Sequence, residues 1–263
     1  MRFALINGER AEAQPLGSGQ CPGCGKPMVA RCGSQRVWHW AHKGRLSCDP
    51  WWENETEWHR AWKSQFPAEW QEVVHRASDG ERHIADVKTW DGWTLEFQHS
   101  AISAEERLSR ESYYEALIWV VDGVRRQRDA HQLLAAWSSG HRDSNPFSMK
   151  RRVTAPGGSL LRDWAGSRAH VFFDLGEQAR MWWLFPGSDE ARAYVQDIPR
   201  EVFVRIHRER TTHGPTAFEE RVDNFRAFVA TFETPPDTPT PTRRTAGVSG
   251  ASRIMLTRRG FRF

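Results

Sequence analysis

The chain has 263 residues, 39% hydrophobic and 27% charged, with 14 tryptophans and a formal net charge of +4. This allows one large domain or two small ones with a real core. No run of about 18 apolar residues occurs, which excludes a transmembrane helix, and the mild basicity is compatible with a nucleic-acid partner without requiring one.

Residues 1 to 20 read as a short strand, Phe3 to Ile6, followed by a loop. The segment lacks the apolar stretch of a signal peptide, so a cytoplasmic, reducing location and no membrane contact are expected. All four cysteines lie between Cys21 and Cys48, and in a reducing compartment they read as metal ligands before disulfides. Cys21-Pro22-Gly23-Cys24 is a Cys-x-x-Cys knuckle, and Trp38-His39-Trp40-Ala41-His42 supplies a second close pair. Zinc takes four such donors at tetrahedral corners. Cys21, Cys24, His39 and His42 are the expected zinc ligands, with Cys32 and Cys48 as competitors and a four-cysteine site as the alternative.

A helix is expected from about residue 54 to Phe66, ended by Pro67. Trp58, Ala61, Trp62 and Phe66 recur at helical spacing, and Asn54 suits the cap. Glu55, His59 and Lys63 lie four apart along one edge of that stripe. Such an edge can touch a partly buried site, and the same spacing also suits neighbours on a solvated helix. Residues 70 to 76 read as a strand, with Ser78-Asp79-Gly80 turning into a second one, Arg82 to Lys88. Asp91-Gly92 signals a hairpin in which both central positions want positive φ. The third strand, Trp93 to Gln98, places Trp93, Leu95 and Phe97 on one face and Thr94, Glu96 and Gln98 on the other. Asp86 and Lys88 likewise share a face.

Ser103 and Glu106 are spaced as a capping box for a helix running to about Tyr114. Ala116 to Val121 is a continuous apolar run, suited to a strand buried on both faces and parallel to its neighbour. The order is helix, strand, strand, strand, helix, strand, with acids on the second and third strands. That is a mixed α/β core of the PD-(D/E)xK, restriction-endonuclease-like αβββαβ type. Beyond Val124 the chain is polar and basic. One helix is expected near Gln132 to Trp137. Lys150-Arg151-Arg152 is a basic triplet, either solvated or in reach of phosphate. A hairpin is expected around Gly176, and helices over Asp189 to Gln196 and Ala217 to Thr231. Thr234 to Pro241 is too proline-rich to pack. Residues 242–263 carry six arginines and no acid, which suits a phosphate-binding arm or a solubilising tail equally. The expected divisions are a zinc-ribbon-like element over 1–50, a nuclease-like core over 51–123, an extension packing on it over 124–232 and a tail over 233–263.

Together these residues resemble the competence protein CoiA-like family. The matching stretches are Cys21 to Cys24, His39 to His42, Glu55 to Lys63, Ala85-Asp86-Val87, Leu95 to Ser100, Arg110 to Tyr114 and Ile118 to Val120. The family joins a zinc-ribbon-like element to a PD-(D/E)xK nuclease-like domain and is linked to handling incoming single-stranded DNA during transformation. The resemblance implies a magnesium- or manganese-dependent deoxyribonuclease. Asp86 and Glu96 would be metal ligands, and Glu55 and His59 would assist by metal binding or proton transfer. Gln98 stands where the usual lysine would be and cannot carry charge, so Lys88 is a candidate for the missing cation. The rival reading is a catalytically inactive nucleic-acid-binding protein that keeps the fold. DNA and DNA-processing proteins are the expected partners, and the oligomeric state is left open.

Overall fold

Asn7 and Gly8, with φ of 52° and 88°, turn the chain back on itself in the computed structural model, which describes residues 1–44, 48–51, 55–78, 80–176, 179–211 and 213–233. A two-residue Asn-Gly turn has the twist of the strands it joins. It pairs β1 (Phe3–Ile6) with β2 (Glu9–Glu12). Strands β3 (Ser18–Gln20), β4 (Pro27–Arg31) and β5 (His39–His42) complete an antiparallel sheet in the order β2-β1-β3-β4-β5. β2 and β3 occupy the stretch expected to be loop. Ala4, Cys21, Met28 and Trp40 are buried in its small core.

Helix α1 (Glu57–Lys63) is capped by Thr56, whose side chain accepts the backbone N–H of His59; the expected cap, Asn54, lies outside the described residues. A single 3-10 turn, Ala68–Trp70, leads into β6 (Gln71–Arg76). β7 (Arg82–Lys88), β8 (Thr94–Gln98), α2 (Ala104–Tyr113) and β9 (Leu117–Asp122) follow in the expected order. The turn from β6 to β7 has Gly80 at φ 94°; Asp79 lies outside the described residues. The β7–β8 turn differs from expectation. Gly92 N–H donates to Thr89 O (3.1 Å) and Thr89 N–H to Trp93 O (2.9 Å), and only Gly92, not Asp91, has positive φ. This is a three-residue loop closed by a glycine bulge. Ser103 caps α2 by accepting Glu106 N–H at 3.0 Å. The side chain of Glu106 pairs with Arg110 at 2.5 Å.

The chain continues through α3 (Asp129–Ser139), β10 (His141–Arg142), β11 (Lys150–Thr154), α4 (Ser159–Trp164), β12 (His170–Asp174), β13 (Arg180–Leu184), β14 (Arg192–Pro199), α5 (Arg200–Arg208) and α6 (Ala217–Glu233). Nine strands form one sheet in the order β10-β11-β14-β13-β12-β9-β8-β7-β6. β9 is parallel to both β8 and β12, so the second half of the chain supplies strands to the sheet that carries Asp86 and Glu96. Phe66, Phe97, Phe172, Phe203 and Phe225 belong to one buried cluster, fed by α1, α5 and α6. Trp119, Leu133, Leu160, Trp164 and Phe173 belong to a second, fed by α3 and α4.

Two expectations fail here. Residues 189 to 196 form no helix: Asp189 Oδ1 accepts the N–H groups of Ala191 and Arg192 in a turn, and β14 then runs between β13 and β11 with Tyr194 and Val195 fully buried. Pairing on both edges overrides the local helical pattern. The basic triplet is structural: Arg151 lies over Trp137 (4.7 Å), Arg152 over Phe232 (4.5 Å), and Lys150 Nζ donates to Asn224 O (2.7 Å). The proline-rich segment and arginine-rich tail, 234–263, lie outside the described residues. Among the described residues no helix is long and apolar enough to cross a membrane.

Candidate functional site

The Cys-x-x-Cys knuckle is formed by backbone geometry. Gly25, at φ 72°, brings its N–H to Cys21 O (2.8 Å), and Cys21 N–H reaches Lys26 O (2.9 Å). Cys21, Cys24, His42 and Cys48 place their donor atoms within 4.8 Å of one another. Cys21 Sγ lies 3.6 Å from Cys48 Sγ, and Cys24 Sγ lies 3.3 Å from His42 Nε2. The sulfur–sulfur edge of a tetrahedral zinc–thiolate site is about 3.8 Å, so three thiols and one imidazole fit zinc here. The expected ligand His39 is not among them. His39 and His42 are three residues apart on β5, which puts their side chains on opposite faces, and His39 Nδ1 lies 2.9 Å from Val37 O. Cys48 takes the fourth place, and Cys32 stays outside.

A second site lies where α1, β7, β8 and α2 meet. A cavity of about 50 Å³ is lined by Asp86 and Glu96 with Glu55, His59, Lys63 and Arg110, room for a few waters or a small hydrated ion. Phe97 N–H donates to Asp86 Oδ2 (3.0 Å), which ties the carboxylate on β7 to the strand beside it. Arg110 Nη1 stands 3.3 Å from Glu96 Oε2. Glu96 Oε1 is buried and has no hydrogen-bond partner among the described residues. Burial, and then the charge of Asp86, push the Glu96 carboxyl up to about 8. Asp86 is also raised, by burial, although Lys63 opposes this.

Lys63, with Arg110, supplies positive charge to this site. Its Nζ lies 2.8 Å from both Glu55 Oε2 and Glu72 Oε1, and 3.8 Å from Asp86 Oδ1. Burial opposes its charge, but Glu72 and Glu55 outweigh that and hold the ammonium above its ordinary range. Glu72 is opposed by burial too, yet Lys63 brings it down to about 2. Its carboxylate also accepts the backbone N–H groups of Arg2 (2.6 Å) and Phe3 (2.9 Å), which joins the first sheet to the second. Glu72 keeps a left-handed φ of 47°, unusual for a non-glycine residue and costing of order 1–3 kcal/mol.

Of the residues singled out by sequence, Asp86, Glu96, Glu55 and His59 line the cavity, and Gln98 does not. The Gln98 amide donates to Ser100 O (3.1 Å). Lys88 Nζ is bonded to Thr94 Oγ1 (3.2 Å) and is not among the lining residues, so it is not the replacement cation. Glu55 is occupied by ion pairs to Arg60 (3.0 Å) and Lys63 (2.8 Å). Among the described residues, Asp86 and Glu96 join no third Asp, Glu, His or Cys in a metal-sized cluster.

Sequence reasoning missed Asp49, Arg110 and His99. Asp49 follows the zinc-site Cys48 and lines the cavity; its carboxylate accepts Ile84 N–H (2.9 Å) and lies 2.8 Å from His83 Nδ1. His99 Nδ1 is 2.7 Å from Asp122 Oδ2. A carboxylate only accepts, so Nδ1 carries the proton. The His99 ring lies 5.9 Å from that of His59. Long-range pairing brings these groups together, and no local spacing announces it.

Residues 9–50 match the family model described as the N-terminal domain of competence protein CoiA. That stretch runs from the start of β2 past Cys48. Neither the curated proteins nor the solved structures yield a match.

Proposed function

Proceeding from a chain that carries a CoiA-type N-terminal domain, we propose that it is a metal-dependent nuclease hydrolysing phosphodiester bonds of DNA on a PD-(D/E)xK-like core. The family name ties that domain to competence, which supports a role in handling DNA. The observation that carries the reading is the buried, unpartnered Glu96 Oε1 beside Asp86, at a cavity on neighbouring strands. Two carboxylates so close repel each other, and a small divalent cation with oxygen ligands is what relieves them. The order α1-β6-β7-β8-α2-β9 supports it as well.

Asp86 and Glu96 would hold magnesium or manganese. When bound, the metal polarises the phosphate and eases deprotonation of the attacking water. Arg110 fixes one oxygen of Glu96, and Phe97 N–H fixes one oxygen of Asp86. Lys63 offsets their negative charge in place of the strand lysine; held by Glu55 and Glu72, it keeps its proton. His59, in the cavity wall, is an imidazole placed to pass a proton. The Cys21, Cys24, His42, Cys48 zinc site is structural: four protein donors leave no open position.

One observation favours the alternative, an inactive binding protein: Arg110 already offers Glu96 a cation at 3.3 Å. The test is digestion of labelled single- and double-stranded DNA with Mg²⁺ or Mn²⁺, wild type beside Asp86→Ala and Glu96→Ala. Cleavage by wild type alone, with zinc content and fold retained in all three, is the expected result. A folded, zinc-loaded wild type that binds DNA and never cuts it would move the assignment to the inactive reading.

A further inference from the structure

The zinc element carries a feature that the chemistry above does not use. From Ala13 to Cys48 there is no acidic residue, while Lys26, Arg31, Arg36, Lys43 and Arg45 are all basic. A shallow groove of about 680 Å³ runs over β4, β5 and the loop between them, lined by Arg31, Ser34, Gln35 and Arg36. Arg31 and Arg36 are exposed and have no partner among the described residues. In the same loop Trp38 is 47% exposed. Its indole N–H is held by Gly33 O (3.2 Å), and its carbonyl accepts Arg60 Nη2 (2.8 Å), so the ring is anchored at the surface rather than folded into a core.

Gln35 and Arg36 also line the next depression, shared with Glu55, Thr56 and Glu57. Glu55 in turn lines the Asp86–Glu96 cavity. The basic groove therefore leads to the acidic cavity.

We propose that this groove of the zinc element is a binding track for single-stranded nucleic acid, with Trp38 stacking on a base and Arg31 and Arg36 meeting phosphates. Unpaired guanidiniums suit a polyanion. A fixed exposed indole suits a base whose face is free, and a double helix hides those faces. The track would deliver the strand to the cavity, so the inference rests on the nuclease reading for its purpose but not for its test.

The test uses the full chain in an Asp86→Ala background, so that binding is read without cleavage. Fluorescence anisotropy of a labelled oligothymidylate and of a labelled duplex is measured for that protein, for Trp38→Ala and for Arg31→Ala/Arg36→Ala, with zinc content and circular dichroism as fold controls. Each variant is expected to bind the single strand about ten-fold more weakly or worse. The arginine pair should also lower the salt slope by roughly 1.4, at about 0.7 per phosphate contact. Should Trp38→Ala fail to load zinc, Trp38→Leu, which keeps apolar bulk without a stacking face, replaces it. Unchanged affinity in zinc-loaded variants overturns the track even if the wild type cuts DNA. Loss in both variants upholds it even if the wild type cuts nothing. Duplex bound as tightly as single strand, with no effect of Trp38→Ala, overturns the single-strand assignment.

Discussion

Glu96 titrates out of its ordinary range, and the consequence for stability has a definite sign. In the folded chain its carboxyl holds a proton up to about 8, against 4.5 for an ordinary glutamate. Between those values the folded state binds more protons than the unfolded one. Its contribution is fully present below pH 4.5 and is lost as pH rises through about 8. Glu96→Gln removes that dependence. In metal-free thermal denaturation it should melt above wild type at pH beyond 8 and close to it near 4.5, while Mn²⁺ should raise the Tm of wild type only. A Mn²⁺ response in both proteins would place the metal elsewhere. The candidate zinc ligands separate as cleanly. Cys48→Ser and His42→Ala should lose the bound zinc measured by atomic emission, and His39→Ala should keep one equivalent. Here the sequence was partly legible. Asp86 and Glu96 follow from strand period and a Gly92 turn. His39 fails because His-x-x-His in a strand crosses the sheet, whereas in a helix it would share a face.

Element packing adds a residue that composition cannot reveal. The indole N–H groups of Trp58 (3.0 Å) and Trp62 (2.9 Å) both donate to Asp174 Oδ2, and Arg200 bonds the other oxygen. A single carboxylate on β12 thus fixes α1 and the start of α5. Asp174→Ala would leave buried donors unmet at about 1–3 kcal/mol each. A loss of about 3 kcal/mol should lower Tm by roughly 6–12 °C, and Trp62→Phe should cost less in that background than in wild type. Under α6, His207 is fully buried, and burial holds its pKa down to about 4. It folds neutral, so its contribution is present above its ordinary 6.5 and is lost as pH falls through about 4. His207→Leu should therefore gain most over wild type at pH 4 to 5 in urea melts; a pH-independent difference would contradict the assignment. The α1 stripe and the buried β9 run were legible as periodic patterns. The strand β14 was not, because its partners lie elsewhere in the chain. The Asn7-Gly8 turn was there to be read.

At the scale of the molecule, the two sheets meet through Glu72. Its carboxylate takes the backbone N–H groups of Arg2 and Phe3, at the entry to the first strand, and the Lys63 ammonium. Glu72→Gln leaves one acceptor oxygen and faces these donors with an amide of its own. Breaking a buried pair of this kind costs about 3–5 kcal/mol. Hydrogen exchange at Arg2 and Phe3 should accelerate ahead of exchange in β8 and β9; equal acceleration everywhere would mean that the sheets unfold as one unit regardless of this link. No sequence pattern points to Glu72, since two of its three partners are backbone groups some seventy residues away.

Strand β9 has a further consequence. It is apolar through Leu117 to Val121, buried along its length, and paired on both edges. A fragment ending at residue 123 would keep the acidic cavity, since among the described residues none that lines it lies beyond Tyr114. It would also bare one edge of a β-prone strand apolar over Leu117 to Val121, the kind of template on which chains stack into insoluble fibres. The second half of the chain is in this sense a solubility guard for a cavity it does not line. A shorter relative that kept the cavity would need another polypeptide to cover the same edge.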